Sequence, residues 1–169
     1  MKRFFKKCEE FSICSEFGES DCLFSETLDE RRTLYQIVVK GTGRVGRIFD
    51  NEYTKLDEKE NNFVNLKKYM GSHTIFQSYT SFHIYGFNTL NIHDDWDGKL
   101  VTNSFKGDSK TWLICFKGNP IINGVTMKTN DYAKLSEKDY EVILNDALLG
   151  IFTKKLLLNL TYEKYMSGH

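Results

Sequence analysis

The chain has 169 residues, and its 23 Lys and Arg balance 23 Asp and Glu, so its formal net charge is zero. Hydrophobic residues make up 40% and charged residues 27%, which excludes a disordered chain and fits one compact domain with a core of its own. Zero net charge excludes a global field that would draw the protein onto nucleic acid or an anionic membrane.

The basic start MKRFFKKCEEF is followed by no apolar h-region and does not read as a secretory signal. The apolar stretch near the C-terminus is interrupted by Lys154, Lys155 and Asn159 and is too broken for a membrane span. A soluble, cytoplasmic protein is therefore expected, without membrane or nucleic-acid partners. The four cysteines, Cys8, Cys14, Cys22 and Cys115, form no paired C-x-x-C pattern and are expected as thiols in a cytosol.

In chain order, residues 1–30 have no firm period and read as an N-terminal arm or edge element, with Phe4, Phe5, Phe11 and Phe17 packing onto this domain or another subunit. TLYQIVVK is a strand, because Ile37, Val38 and Val39 suit a pleated, half-buried surface. GTGRVG follows it with the spacing of a dinucleotide-binding turn, but that fold needs repeated strand–helix units and an acid about 20 residues on. Neither is present, so Gly41 and Gly43 are read as turning one strand into the next, with Gly46 as a bulge.

DEKENN interrupts, FVNLKKY offers a short strand, and His73 to Ile92 reads as one or two strands with Gly86 as a bend or bulge. HDDWDGK is expected as a loop around Asp97-Gly98. KLVTNSF, KTWLICFKG, PIINGVTMKTNDY and YEVILN then give short strands, with Asn123-Gly124 suited to a type I′ hairpin. From Asp146 the period changes. Leu144, Leu148, Phe152, Leu156 and Leu160 recur at i+4, which predicts a C-terminal helix capped by Asn145 or Asp146.

The phrases YQIVVKGTGRVGRI and TWLICFKGNPIINGVTMKTNDYAKL resemble the strand–glycine turn–strand phrases of cupins, with Asn130-Asp131 where that family often has Gly-Asp. The resemblance spans roughly Leu34 to Leu144. It implies a mainly β fold: a cupin-like double-sheet barrel over 31–145, preceded by the arm of 1–30 and followed by the helix and tail of 146–169. Cupin interiors often hold a metal or small ligand, and the metal motif begins H-x-H with a later histidine. This chain has no H-x-H, and Thr111 to Asp131 contains no histidine, so the standard metal motif is incomplete.

His73, His83 and His93 lie ten residues apart and are the remaining metal-ligand candidates, should they converge from adjacent strands. His83, His93 and Asp95 are the acid–base candidates, Asp95 belonging to the acidic cluster HDDWDG. Tyr85, Trp96 and Trp112 are the aromatic candidates for enclosing a ligand. Cys115 sits among apolar residues in WLICFKG and reads as a buried small hydrophobe rather than a nucleophile.

These features favour a non-catalytic binding or assembly protein with no cofactor, acting as a homo-oligomer or on a protein or small-molecule partner. A virus-encoded accessory or inhibitor is compatible with the small size and missing motifs. The alternative is a small isomerase or metal-dependent oxygenase using a divalent metal at an atypical histidine site.

Overall fold

The computed structural model describes residues 2–8, 10–19, 22–27, 31–69, 75–80 and 84–155. The first strands are β1 (Lys2–Lys7), β2 (Phe11–Glu19), β3 (Cys22–Thr27), β4 (Arg32–Lys40), β5 (Thr42–Arg47) and β6 (Glu52–Asp57). They are followed by β7 (Phe63–Asn65), β8 (Ile75–Thr80), β9 (Ile84–His93), β10 (Trp96–Leu100), β11 (Phe105–Gly107) and β12 (Thr111–Lys117). The chain continues through β13 (Ile121–Ile122), β14 (Val125–Thr126), β15 (Tyr132–Lys134), β16 (Lys138–Tyr140), β17 (Val142–Ile143) and β18 (Leu148–Lys154). Among the described residues, the helical elements are two 3-10 turns, Ile48–Asp50 and Leu66–Tyr69.

A five-stranded sheet in the order β1-β2-β9-β4-β7 faces a four-stranded sheet in the order β3-β8-β5-β6. Leu34, Val38, Tyr85 and Phe87 of the first meet Val45 and Leu56 of the second in one core. A second four-stranded sheet, β10-β18-β12-β15, closes with two small sheets, β11-β16 and β14-β13-β17, around another core that includes Leu113, Cys115, Ile122, Tyr140, Leu149 and Ile151. The two halves pack back to back through a third core, the seam, where Tyr35, Ile37, Leu90 and Ile92 meet Trp96, Ile114, Phe116 and Phe152.

The seam explains the sequence of the central strands. A strand covered on one face alternates apolar and polar, whereas one covered on both faces reads as a continuous apolar run. In β4, Leu34 and Val38 point into the first core and Tyr35, Ile37 and Val39 into the seam. A polar chain reaches across the seam: Ser15 donates to Asn88 Oδ1 within the five-stranded sheet, and Asn88 Nδ2 donates across it to the Phe116 carbonyl at 3.5 Å.

The GTGRVG stretch is a turn between the two facing sheets followed by strand β5. Gly41, at φ 81°, turns β4 into β5, and β5 pairs along its length with β6. No helix follows the turn, which removes the phosphate-binding helix N-terminus a dinucleotide site requires. The Asn123-Gly124 hairpin between β13 and β14 has φ of 48° and 79°, as a type I′ turn demands.

Two sequence expectations are corrected. The helix expected from Asp146 is replaced over the described residues by a turn and strand β18. Asn145 and Asp146 take φ of 50° and 61°, in the left-handed region, and so form a turn rather than a helix cap. β18 lies between β10 and β12, with Leu149 and Ile151 facing one core and Leu148 and Phe152 the seam. A strand buried on both faces reads as an unbroken apolar run, and its leucines coincided with a helical period. Leu156 and Leu160 lie outside the described residues. The second correction concerns HDDWDGK. Its turn is Asp94-Asp95, and Asp97-Gly98 lies within β10.

Gly98 is fixed in β10 by close approach. A Cβ there would stand 2.2 Å from Phe152 Cε1 on the paired strand. The Gly98 N–H donates to the Tyr35 hydroxyl at 2.9 Å, and the Tyr35 and Phe152 rings meet edge to face at 5.2 Å. Gly98→Ala is therefore expected to destabilise the protein by about 1–3 kcal/mol through overpacking. In a Phe152→Ala background, itself costing about 3–5 kcal/mol, the added methyl should cost far less. Denaturant unfolding of the four proteins checks this, and equal costs in both backgrounds would contradict the packing account.

Candidate functional site

β9 passes into β10 through the two-residue turn Asp94-Asp95, so the chain crosses there from the five-stranded sheet to its seam neighbour. Cross-strand pairing brings further side chains to the same place. Arg32 is opposite His93, and Lys154 is opposite Trp96. Together with Glu10, just before β2, these residues line a cleft of about 350 Å³ at the end of the seam: Glu10, Arg32, His93, Asp95, Trp96 and Lys154.

The turn is held from both sides. Asp94 N–H donates to the Arg31 carbonyl at 2.7 Å, and Lys155 N–H to the Asp95 carbonyl at 2.7 Å. The Asp94 carboxylate accepts from Thr33 Oγ1 at 2.9 Å and pairs with Lys67 Nζ at 2.5 Å. Partial burial alone would raise the Asp94 pKa, but the hydrogen bonds from Lys67 and Thr33 outweigh it and hold the carboxyl below its ordinary value.

His93 Nδ1 accepts the Asp95 N–H at 3.1 Å, and Asp95 Oδ2 lies 3.3 Å from the same nitrogen. A neutral ring that accepts this N–H carries its proton on Nε2, whereas a proton on Nδ1 would meet the Asp95 carboxylate. Glu10 accepts from Trp112 Nε1 and lies 3.9 Å from Lys134 Nζ. Arg32 and Lys154 form no ion pair among the described residues. Among the described residues the cleft thus holds two carboxylates, Glu10 engaged by Trp112 and Asp95 beside His93, and two cations without an ion pair that could each meet a small anion.

Of the candidates named from sequence, His93, Asp95 and Trp96 come together here, and Trp112 reaches the cleft through Glu10. Tyr85 is elsewhere. It is buried in the first core and stacked with Phe87 at 5.9 Å. His73 and His83 lie outside the described residues. Among the described residues, no three His, Cys, Asp or Glu side chains gather as a metal-ligand set. His93 is the one histidine among the described residues, and its Nδ1 accepts a backbone N–H.

Sequence reading missed Glu10, Arg32 and Lys154. Arg32 and Lys154 end apolar strands, where charged flanks are ordinary, and only strand pairing shows that they meet. A larger hollow of about 570 Å³ lies along β5 and β6, with Arg44, Tyr53 and Lys55 beside Asp57 and Glu60. It is built from one hairpin and its following loop. A second polar locus lies on the inner face of the five-stranded sheet, where Thr89 Oγ1 donates to Gln36 Oε1 at 3.1 Å and Gln36 Nε2 has no partner among the described residues.

Cys115 is fully buried, and burial pushes its thiol up to about 11. A thiolate nucleophile at this position is therefore disfavoured at neutral pH. Iodoacetamide at pH 8 should leave Cys115 unmodified in the folded protein and modify it once guanidinium unfolds the chain. Peptide mapping by mass spectrometry checks this, and alkylation of Cys115 in the native state would contradict it.

No protein-family model and no curated protein matches the chain. Solved structures do. HutD from Pseudomonas fluorescens SBW25 is 14% identical, with a TM-score of 0.54, covering 86% of this chain and 77% of that one. The conserved protein PA5104 from Pseudomonas aeruginosa PAO1 is 11% identical, with a TM-score of 0.55, covering 86% and 79%. The bacterial pirin YhhW from Escherichia coli, solved in complex with nickel(II), is 13% identical, with a TM-score of 0.52, covering 86% and 81%. At these identities the likeness concerns the fold alone, and the fold of this chain is cupin-like.

Proposed function

We propose that this protein is a non-catalytic, self-associating binding protein whose ligand is a small carboxylate held in the cleft at the end of the seam. The observation that carries the reading is the charge arrangement of that cleft. Arg32 and Lys154 are unengaged among the described residues, while the Glu10 carboxylate is occupied by Trp112 and Lys134. A planar guanidinium matches a carboxylate with two parallel hydrogen bonds, and the His93 Nε2–H supplies a further donor. Trp96 forms an apolar wall. The volume suits a compact acid of a few carbons.

Binding rather than turnover is favoured because the described residues offer no nucleophile beside a base. Asp95 and a backbone N–H fix the His93 ring without a hydroxyl or thiol next to it. A reducing, cytoplasmic setting fits the free thiols of Cys8 and Cys115.

Both tryptophans of the chain touch this region, so their fluorescence reports on it. Titration with succinate and citrate should give a saturable change in tryptophan emission. Arg32→Gln should weaken binding by about tenfold or more, the loss expected for a charge-assisted pair, while the thermal midpoint stays close to that of the parent. Absence of saturable binding to either acid, or an unchanged affinity in Arg32→Gln, would overturn the proposal.

A further inference from the structure

The hollow along β5 and β6 opens on the side of that strand pair that faces away from the core. Val45 and Leu56 point inward, to the five-stranded sheet. Side chains alternate along a strand, so Thr42, Arg44, Tyr53, Lys55 and Asp57 stand on the opposite face.

The loop after β6 stands beside this face and is held there by four hydrogen bonds. Asp57 N–H donates to the Asn61 carbonyl at 2.9 Å, and Asn61 Nδ2 donates to the Lys55 carbonyl at 2.7 Å. Glu58 N–H donates to the Gly41 carbonyl at 3.0 Å, and Lys59 N–H donates to Asp57 Oδ1 at 2.8 Å. Glu60 and Asn61 of this loop complete the lining of a space of about 570 Å³, a volume within the range of small-molecule sites.

The charges lining the hollow are sorted along the strands. Arg44 and Lys55 stand directly opposite each other, and like charges so placed repel. The Arg44 guanidinium lies over the Tyr53 ring, 5.2 Å from its centroid. Lys55 is exposed, and among the described residues no ion pair joins it to Asp57 or Glu60. Asp57 is two residues further along β6 on the same face, which sets its position about 7 Å from that of Lys55. Glu60 follows on the loop and is also exposed. The described lining therefore has a cationic end and an acidic end, separated along the strands.

We propose that this hollow binds a small zwitterion whose charges lie at the two ends of an extended chain, an ω-amino acid of the length of ε-aminocaproate. Its carboxylate lies between Arg44 and Lys55 and relieves their repulsion, with the planar guanidinium supplying paired donors. Its ammonium meets Glu60 and the Asp57 oxygen that Lys59 leaves open, and its methylenes run along the strands between the two ends. A plain carboxylate leaves the acidic end unmatched, a plain amine leaves the cationic end unmatched, and an α-amino acid is too short to reach both. The site shares no residue with the cleft at the end of the seam and is independent of it.

Isothermal titration calorimetry of the full chain with ε-aminocaproate tests the proposal. Saturable binding is expected, about tenfold or more tighter than that of caproate, hexylamine or glycine. Lys55→Gln and Glu60→Gln, both at exposed positions, should each weaken it by about tenfold or more while the thermal midpoint stays close to that of the parent. Arg32→Gln, which alters the cleft, should leave it unchanged. Absence of saturable binding, equal affinity for caproate, or an unchanged affinity in either hollow variant would overturn the proposal. Binding lost in Arg32→Gln and kept in Lys55→Gln would overturn it too, by placing ε-aminocaproate in the cleft as a simple carboxylate.

Discussion

The fold depends on the contact among Tyr35, Gly98 and Phe152. Tyr35 belongs to the N-terminal half, while Gly98 and Phe152 face each other across two paired strands of the C-terminal half. The Gly98 N–H satisfies the Tyr35 hydroxyl, and the missing side chain gives the Phe152 ring its place. Burial raises the Tyr35 pKa above its ordinary value despite the hydrogen bond from Gly98, so the hydroxyl stays neutral and can keep accepting. This contact joins the halves at the seam, and most of the longest apolar runs in the sequence are strands that border it.

The candidate site follows from the seam. Where the five-stranded sheet hands the chain to its neighbour, the two strands separate and a tight turn must bridge them. Asp94 anchors that turn to Thr33 and Lys67, which frees Asp95 and His93 to face the cleft. The partners that complete it, Arg32 and Lys154, are delivered by register. A one-residue slip of either strand pair would turn them away from the cleft. The chemistry at this point is two cations, Arg32 and Lys154, without an ion pair among the described residues, beside Trp96.

Much of this architecture was readable from residue order. The β-branched core of TLYQIVVK, the Asn123-Gly124 hairpin and the glycine turn after β4 each rest on local steric rules, which tertiary context did not override. The resemblance to cupins pointed to the right fold. The C-terminal helix failed because a strand buried on both faces loses its alternation, and its leucines then coincide with a helical period. HDDWDGK was misread for a related reason. Gly98 is there to admit Phe152, and a glycine required by a distant ring looks the same in sequence as one required by a turn. His93, Asp95 and Trp96 were legible because they are adjacent in the chain. Arg32 and Glu10 were not, since they join the site only through pairing between strands far apart in sequence.

The central claim is that the seam is a single shared core on which both halves depend. Native-state hydrogen exchange tests it most directly. The account predicts that the slowest amides fall in β4, β9, β12 and β18, and that those of both halves exchange together in one global opening. Protection confined to one half, or two sets of slow amides opening at separate denaturant concentrations, would contradict it.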